Sequence, residues 1–239
     1  MSVLTTIRQT TVKNSGVVTV AMDVGDGLRR IAFRPRQSRL SWRPGQALAV
    51  KVAPEGKKLR DRWRHYTLRR GDAESGDLEF LITVHDDAGP GARWAAGLTT
   101  GDEFVFMGPG GGPTVASDSA PTVIIGDRTT AAAAGAILDA LPRATPASVV
   151  LATPTPSDAV LDTVRADDVT WIGANGADEI REALVGAADT VPLDPESTYA
   201  YVTGEQAMMR SVRDRLRQRG LPKAQVKVHA HWTPGRVGM

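Results

Sequence analysis

The pattern of apolar residues changes at the glycine- and proline-rich run 108–113 (GPGGGP), and this change constrains the fold more than any other feature. Before the run, short strand-like segments are separated by turn signals such as Arg43-Pro44-Gly45 and Ser75-Gly76-Asp77. Regular spacing of short strands is typical of an antiparallel barrel or sandwich. The sequence predicts strands at 3–12, 16–23, 28–33, 46–53, 64–69, 78–85 and 103–107, and a short helix at 91–97.

After the run, strand-like and helix-like segments alternate. This alternation indicates a parallel sheet with helices on both of its faces. A length of 239 residues accommodates two domains of ordinary size. We therefore expect a β-barrel domain over residues 1–115 and an α/β domain over residues 116–239. The predicted strands are 121–126, 147–152, 168–172, 198–203 and 225–231, and the predicted helices are 129–141, 156–166, 177–185 and 205–219.

Small residues recur where the predicted parallel strands end, as in Gly126-Asp127, Gly173 and Gly204-Glu205. The carboxyl ends of strands in open α/β sheets are where ligands bind. The alternative, that these glycines only make strand-to-helix turns, is about equally favoured by the sequence.

The chain has no cysteine and four histidines. The absence of cysteine excludes disulfides, thiolate zinc sites, a cysteine nucleophile and cysteine-ligated iron–sulfur clusters. His229 and His231 share a face of a predicted strand, but ordinary polar strand positions explain them better than a metal pair. No metal site is predicted, and any redox chemistry must come from a bound organic cofactor.

No apolar run reaches membrane-spanning length, and residues 1–13 alternate like a strand without the apolar core of a signal peptide. These features predict a soluble, cytoplasmic protein that does not insert into a membrane. Nothing in the sequence signals oligomerisation, so a monomer is the expectation.

Charge is unevenly distributed although the net charge is only +2. The segment from Arg29 to Arg70 has a net charge of +12, with 14 Lys/Arg and 2 Asp/Glu, whereas the other segments together have −10. So basic a segment attracts an anion. Nucleic acid is one candidate, but aromatic residues make up only 5% and no nucleic-acid motif is present. Cofactor phosphates or a small anionic substrate fit better.

The hexapeptide Arg64-His65-Tyr66-Thr67-Leu68-Arg69 carries the most functional information. In a strand its side chains would alternate between two faces. Arginine offers a forked donor to phosphate, tyrosine a stacking face and threonine a hydroxyl. These groups suit a ligand that combines a phosphate, a flat ring and a polar ring edge. The alternative is a plain strand with a surface Arg64 and a core Tyr66.

Two further turns have the chemistry of phosphate sites. The segment 85–95 passes from a strand through Gly89-Pro90 into a short helix, whose first N–H groups and Arg93 can bind an anion. A capped helix with a packed Trp94 is the alternative. The turn Gly126-Asp127-Arg128-Thr129 opens the next helix. It lacks the G-x-G-x-x-G spacing of the Rossmann fingerprint, but it can still hold a dinucleotide loosely at the start of that helix.

These motifs together resemble those of the siderophore-interacting proteins, which are FAD-dependent ferric-siderophore reductases of the ferredoxin-reductase-like superfamily. The hexapeptide is similar to the family's R-x-Y-T-x-R motif, and His85 through Ala95 is similar to its H-x-x-x-G-P-x-x-x-W-A segment. Gly108 to Gly111, Gly126-Asp127, Gly204-Glu205 and Trp232 also match family positions. The resemblance spans nearly the whole chain and implies a flavin-binding barrel followed by an NAD(P)H-binding α/β domain.

The resemblance assigns roles to individual residues. Arg64 would contact the FAD pyrophosphate, Tyr66 would stack on the isoalloxazine ring, and Thr67 would lie near flavin N5, which makes Tyr66 and Thr67 the catalytic candidates. Cofactor-binding roles extend to His65, His85, Gly91, Ala92, Arg93, Trp94, Gly126, Asp127, Thr129, Gly204 and Glu205, the last five bordering NADH or NADPH.

Two positions depart from the family pattern. Gly91-Ala92 stands where Ala-Ser is common, and Arg128 stands where glutamate is usual. The first departure removes a serine hydroxyl from the phosphate turn. The second suggests Arg128 as a candidate for reading the 2′-phosphate of NADPH.

The resulting hypothesis is an oxidoreductase that passes electrons from NAD(P)H through FAD to a ferric siderophore and releases iron as Fe(II). Lys51, Lys57, Lys58 and Arg69, together with Arg60 and Arg62, would steer an anionic siderophore to the flavin. The alternatives are a general flavin or quinone reductase of the same superfamily, a siderophore-binding protein without turnover, and a nucleic-acid-binding module.

Overall fold

A computed structural model describes residues 13–37, 40–53, 62–84, 89–156 and 161–235. The first half forms a closed six-stranded barrel, and the second half forms a five-stranded sheet. The strands are β1 (Asn14–Gly25), β2 (Leu28–Pro35), β3 (Ala47–Lys51), β4 (Trp63–Gly71), β5 (Leu78–Thr83), β6 (Glu103–Gly110), β7 (Thr122–Asp127), β8 (Ala147–Thr153), β9 (Val169–Gly173), β10 (Tyr199–Glu205) and β11 (Val226–Trp232). The helices are α1 (Pro90–Gly97), α2 (Ala131–Ala140), α3 (Gly176–Thr190) and α4 (Gln206–Gln218).

The barrel strands are ordered β1-β2-β5-β4-β3-β6, and every neighbouring pair is antiparallel. Alternate residues of each strand point inward and exclude water. Phe33, Phe80, Phe104 and Phe106 meet there, with Phe33 and Phe80 stacked at 5.0 Å between ring centroids. The inward aromatic rings close the barrel around a solid core.

The sheet of the second half is parallel and ordered β11-β10-β7-β8-β9. The chain runs outward from β7 through β8 to β9 and then returns to the other side of β7 as β10 and β11. The strand order therefore reverses between β7 and β10, and such reversal points form the ligand crevices of open α/β sheets.

Helices cover both faces of this sheet, as the sequence predicts. Helices α3 and α4 pack on one face around Leu184 and Val212. Helix α2 packs on the other face, and its residues Ala131 to Leu138 are all buried. A helix with an apolar surface on all sides has protein on all sides, and the partner opposite the sheet is the barrel.

The barrel and the α/β half share one apolar cluster. Leu28 of β2 is 1% exposed and packs with Ile137 and Leu138 of α2 and with Tyr201 of β10. Val24 and Leu81 of the barrel pack against the same cluster. The interface between the two halves is therefore an apolar core of its own.

Most predicted elements are confirmed with small shifts at their ends. The predicted strand 3–12 lies outside the described residues. The predicted helix 156–166 is wrong where the structure describes it, because residues 161–165 are not helical and only a short 3₁₀ turn follows at Ala166–Asp168. The domain boundary at residue 115 falls between Gly110 and Thr122 and stays a prediction.

In the described ranges, no helix is long and apolar enough to cross a bilayer. The same residues contain no group of three or more His, Asp or Glu side chains placed to hold a metal ion.

Candidate functional site

Strand β4 and the start of helix α1 meet at Gly91. A Cβ atom at this position would lie 2.5 Å from Oη of Tyr66 and 3.0 Å from Cγ of Arg64. No side chain larger than hydrogen fits there without moving one of these groups. The two motifs that the sequence separates by more than 20 residues therefore form one continuous surface.

Tyr66 lies in an aromatic stack at the edge of the barrel core. Its ring is nearly parallel to that of Trp94, with 5.6 Å between centroids and 18° between planes, and it also packs on Phe80. Burial raises the pKa of Tyr66, although the nearby Arg64 charge acts in the opposite direction. Tyr66 is thus a neutral phenol held in one orientation by its neighbours.

The first turn of α1 is arranged to receive an anion. Its N-cap is Gly89, which supplies no capping side chain, and no acidic residue lies in the first turn. The first helical hydrogen bond is donated by Arg93 to the carbonyl of Gly89, so the N–H groups of Gly91 and Ala92 have no acceptor within the helix. The stem of Arg64 lies against Gly91, and its guanidinium donates to the carbonyl of Trp63 at 2.7 Å. A helix start with unused N–H groups next to an arginine side chain is the kind of corner that suits a pyrophosphate.

Three of the four remaining residues predicted to bind the flavin lie within the described residues. Thr67 is half-buried on β4 opposite Ala47, His65 is exposed on the same strand, and Arg93 is exposed on α1. Their roles stay predictions. His85 lies outside the described residues.

A second group of predicted residues converges at the reversal point between β7 and β10, centred on Asp127. This carboxylate is 3% exposed and accepts hydrogen bonds from the backbone N–H of Thr129 at 2.9 Å and of Glu205 at 2.8 Å. It also accepts from the indole N–H of Trp232 at 2.9 Å and from the hydroxyl of Thr129. Burial raises the pKa of Asp127, and these donors oppose the shift.

Gly204 makes this convergence sterically possible. Its φ is +121°, and a Cβ there would lie 2.6 Å from Oδ2 of Asp127. Glu205 then caps α4, because its carboxylate accepts from the N–H groups of Ala207 at 2.8 Å and of Met208 at 2.6 Å. Asp127 and Glu205 thus shape this end of the sheet. Their carboxylate oxygens accept hydrogen bonds from N–H groups of the protein itself. Gly126 is packed as tightly between β7 and β10, where a Cβ would lie 2.3 Å from the carbonyl oxygen of Thr203.

His231 belongs to the same cluster, although it is not among the residues predicted to bind the cofactor. Its Nδ1 lies 3.1 Å from Oγ1 of Thr129, and its ring centroid is 5.7 Å from that of His229. Burial and the nearby His229 lower the pKa of His231 to about 3. Burial also lowers the pKa of His229, as does the charge of His65 on β4. The rings of His229 and His231 therefore lie together on the β11 side of the Asp127 cluster.

Arg69 is not where the sequence suggested, and Arg128 makes a contact that the sequence did not reveal. Arg128 donates to the carbonyl of Asp26 at 3.0 Å in the β1–β2 turn, and its role toward a 2′-phosphate stays a prediction. Arg69 was expected to steer substrate from the surface, but it is 2% exposed. It pairs with Asp139 of α2 at 2.7 Å and donates to the carbonyl of Asp162. Both contacts escaped the sequence for one reason, since the partners come from the opposite half of the protein.

Of the other residues predicted to steer substrate, Lys51 is half-buried at the end of β3, opposite Trp63. Lys57, Lys58 and Arg60 lie outside the described residues, and Arg62 precedes β4. Sequence reasoning missed Gly135, whose absent side chain makes room for Arg69, since a Cβ there would lie 2.4 Å from the Arg69 Nε. A glycine inside an alanine-rich helix was the only available signal.

Two family models match the chain. The "Siderophore-interacting FAD-binding domain" model matches residues 2–113, and the "Siderophore-interacting protein" model matches residues 120–235. The first coincides with the barrel and the second with the α/β half.

Curated relatives include transport proteins and a reductase. The chain is 29% identical to the mycobactin import ATP-binding/permease protein IrtA of Mycolicibacterium smegmatis over 179 residues, which cover 73% of this chain and 20% of the relative. It is 27% identical to the ferric vibriobactin reductase ViuB of Vibrio cholerae over 179 residues, which cover 72% of this chain and 65% of the relative. The chain thus spans a fifth of the first relative's length and slightly less than two thirds of the second's.

Solved structures show the same fold. The siderophore-interacting protein SipS of Aeromonas hydrophila superposes with a TM-score of 0.79 at 23% identity, covering 94% of this chain and 92% of that one. The ferredoxin reductase of carbazole 1,9a-dioxygenase superposes with a TM-score of 0.72 at 18% identity, covering 92% of this chain and 66% of that one. The predicted ferredoxin-reductase-like architecture is confirmed. With family models that cover both of its halves, the chain belongs to the siderophore-interacting protein family.

Proposed function

We propose that this protein is an FAD-dependent reductase that passes electrons from NADH or NADPH to a ferric siderophore and releases the iron as Fe(II). The observation that carries the proposal is the contact of Gly91 with Arg64 and Tyr66, which joins a helix start with unused N–H groups to a strand that carries an aromatic and a cationic side chain. The match to a flavin-binding family model over the same residues supports it. The name of the Vibrio cholerae relative supports the acceptor.

The residues of the barrel fit FAD by their chemistry. Arg64 and the N–H groups of Gly91 and Ala92 would hold the pyrophosphate, and the neutral Tyr66 would provide a flat face for the isoalloxazine ring. Thr67 lies one residue further on β4 and would offer its hydroxyl to the polar edge of that ring. When bound, the flavin accepts two electrons together as a hydride and releases them one at a time.

The α/β half would supply the crevice for the nicotinamide cofactor. Asp127, Gly204 and Glu205 set the shape of its floor, and their internal hydrogen bonds leave the carboxylates unavailable to a ligand. The overall balance is one NAD(P)H and two Fe(III) converted to one NAD(P)⁺, two Fe(II) and one proton. Electron transfer to the iron complex itself requires no acid or base from the protein.

Reduction would release iron because siderophores bind Fe(III) through hard oxygen donors. Fe(II) carries less charge and is softer, so the same ligands hold it more weakly. Lys51 and the basic segment that contains Lys57 and Lys58 would attract an anionic ferric complex to the flavin edge.

The test begins with the visible absorption spectrum of the purified protein after incubation with excess FAD. We expect bound oxidised flavin whose bands bleach anaerobically on addition of NADH or NADPH, and return on addition of a ferric siderophore with formation of Fe(II). Failure to bind FAD would overturn the proposal. Faster turnover with free flavin or a quinone than with every ferric siderophore offered would instead favour a general reductase.

A further inference from the structure

His231 has one ring nitrogen that the fold leaves without a partner. Its Nε2 is buried and has no hydrogen-bond partner among the described residues. Buried polar atoms in folded proteins are almost always paired, so an exception needs an explanation such as a ligand that completes the pair.

The other ring nitrogen reports which tautomer the protein holds. The two backbone N–H groups and the indole N–H that reach Asp127 can only donate, and the hydroxyl of Thr129 also donates to this carboxylate. With its proton used in this way, Thr129 Oγ1 must accept from His231 Nδ1, 3.1 Å away. The proton therefore resides on Nδ1, and Nε2 is left with a lone pair.

The position of His231 limits what can complete the pair. It lies near the carboxyl end of β11, next to β10 and beside the reversal point of the sheet. The ring of His229 adjoins it, and Thr129 at the start of the segment after β7 contacts it from the other side. A ligand group that reaches Nε2 is therefore at the carboxyl edge of the sheet, where a dinucleotide is expected to bind.

We propose that Nε2 of His231 accepts a hydrogen bond from the carboxamide N–H of the nicotinamide ring, with Thr129 and Asp127 holding the imidazole in the accepting tautomer. This inference rests on the proposed use of NADH or NADPH. It makes His231 a binding residue and Thr129 and Asp127 positioning residues.

The chemistry favours the carboxamide over other parts of the cofactor. A neutral imidazole with a free lone pair needs a donor, and the phosphates of a dinucleotide offer none at neutral pH. The ribose hydroxyls can donate, but they are also present in an analogue that lacks the amide. A dinucleotide with a 3-acetyl group keeps the ribose hydroxyls but has no amide N–H to donate. Comparing its affinity with that of the 3-carboxamide form therefore distinguishes the amide from the ribose as the donor to Nε2.

The experiment compares two oxidised dinucleotides that bind without reacting with oxidised holoprotein. NAD⁺ or NADP⁺, whichever binds, and the corresponding 3-acetylpyridine analogue are titrated calorimetrically into the wild type and into His231→Leu, His231→Gln and His229→Leu. We expect the wild type to bind the carboxamide form about 3- to 10-fold more tightly than the acetyl form. His231→Leu should abolish this preference, and His231→Gln should retain part of it because its side-chain oxygen accepts at a similar reach.

His229→Leu is the matched control, since it changes a neighbouring ring on the same face of β11 and should retain the preference. Flavin content and melting temperature establish that each variant is folded. Equal preference in the wild type and His231→Leu would overturn the inference while leaving the proposed function intact. A wild type that binds neither NAD⁺ nor NADP⁺ would overturn the inference together with the proposed nicotinamide donor.

Nitrogen NMR of the histidine rings provides a readout independent of affinity. In the protein without dinucleotide, we expect the proton of His231 on Nδ1 and the chemical shift of an unprotonated nitrogen at Nε2. Addition of the carboxamide dinucleotide should shift the Nε2 resonance, and the acetyl analogue should leave it in place. A proton on Nε2 of the free protein would contradict the proposed tautomer and the inference with it.

Discussion

At the scale of single residues, close approaches of backbone and side chain define both halves of the candidate site. Gly91 lies against Tyr66 and Arg64, and Gly204 lies against Asp127. In each case a side chain of the candidate site occupies the volume that a Cβ on the glycine would need. The positions of these groups are thus determined by glycines on a different element.

The contact at Gly91 predicts a selective effect of one methyl group. Gly91→Ala places a Cβ 2.5 Å from the Tyr66 hydroxyl, so Tyr66 and Arg64 must move. Overpacking of this kind costs about 1–3 kcal/mol, and we expect weaker FAD binding together with a lower melting temperature. Equilibrium titration with FAD measures the effect. Gly97→Ala, on the same helix with no atom within 4 Å of the added Cβ, is the control; equal FAD affinities of the two variants would contradict the proposed surface.

The buried His231 predicts a pH dependence with a definite sign. Its pKa falls from 6.5 to about 3 on folding, so below pH 6.5 the unfolded chain takes up a proton that the folded protein does not. The free energy of unfolding should therefore be fully retained above pH 6.5 and decrease as the pH falls towards 3. The lowered pKa values of His65 and His229 act in the same direction, and the raised pKa of Asp127 acts oppositely at acid pH.

Urea denaturation of the wild type and His231→Gln at pH 8 and pH 5 isolates this contribution. The wild type should lose more stability than the variant between the two pH values, because only the wild type has the imidazole at this position. Parallel losses would show that His231 titrates normally.

Residue identities predicted part of the site because the relevant side chains are near one another in the sequence. Arg64, Tyr66 and Thr67 predict a ligand with a phosphate and a ring, and this prediction needs no information about any distant segment. His231 was missed because its partner Thr129 is 102 residues away. Arg69 was misplaced because nothing in its own strand reveals that Gly135 leaves a space for its guanidinium.

At the scale of elements, helix α2 is the piece that joins the two sheets. One side packs on β7, β8 and β10, and the other packs on the barrel. Its short alanine side chains allow both layers to approach closely. The sequence predicted the helix from these alanines, but their burial on every side follows only from the position of the barrel.

The buried ion pair between Arg69 and Asp139 should contribute more to the free energy of unfolding than an exposed ion pair does. Arg69→Met removes a guanidinium that is 2% exposed and leaves Asp139 and the carbonyl of Asp162 without this donor. We expect a loss of about 1–3 kcal/mol in the free energy of unfolding. Arg36→Met, whose pair with Glu103 is more than half exposed, should cost about 0–1 kcal/mol. Urea denaturation measures both, and equal costs would mean that the Arg69 pair contributes no more than a surface contact.

Strand positions were predicted well because the strands are short apolar segments and the turns between them contain glycine or proline. The segment 156–166 was misassigned because it lacks a strong apolar stripe of helical period, and its described part instead contributes Asp162 to the pairs with Arg69 and Arg70. Contacts between the two halves override a weak local preference there.

At the scale of the whole molecule, much of the basic excess of residues 29–70 is neutralised by the fold. Ion pairs join Arg29, Arg30, Arg34, Arg36, Arg69 and Arg70 to carboxylates that lie outside that segment. The charge available to attract a substrate is therefore smaller than the sequence suggests. Lys57, Lys58 and Arg60 lie outside the described residues and stay the proposed steering residues.

Attraction by these residues predicts a salt dependence. The second-order rate constant for reduction of an anionic ferric siderophore should decrease as ionic strength rises, because screening shortens the range of the attraction. A ferric siderophore without net charge is the control and should show little change. Stopped-flow kinetics of the reduced protein measures both rates. A flat dependence for the anionic complex would remove substrate steering from the proposed function.

The apolar cluster that Leu28 shares with Ile137 and Tyr201 has a consequence for protein engineering. A recombinant fragment ending at the glycine-rich junction would expose Val24, Leu28 and Leu81 to water and would tend to aggregate. Chimeras that exchange one half between related reductases would likewise need matched surfaces where α2 meets the barrel. The two halves are therefore best expressed and exchanged together, as one folding unit.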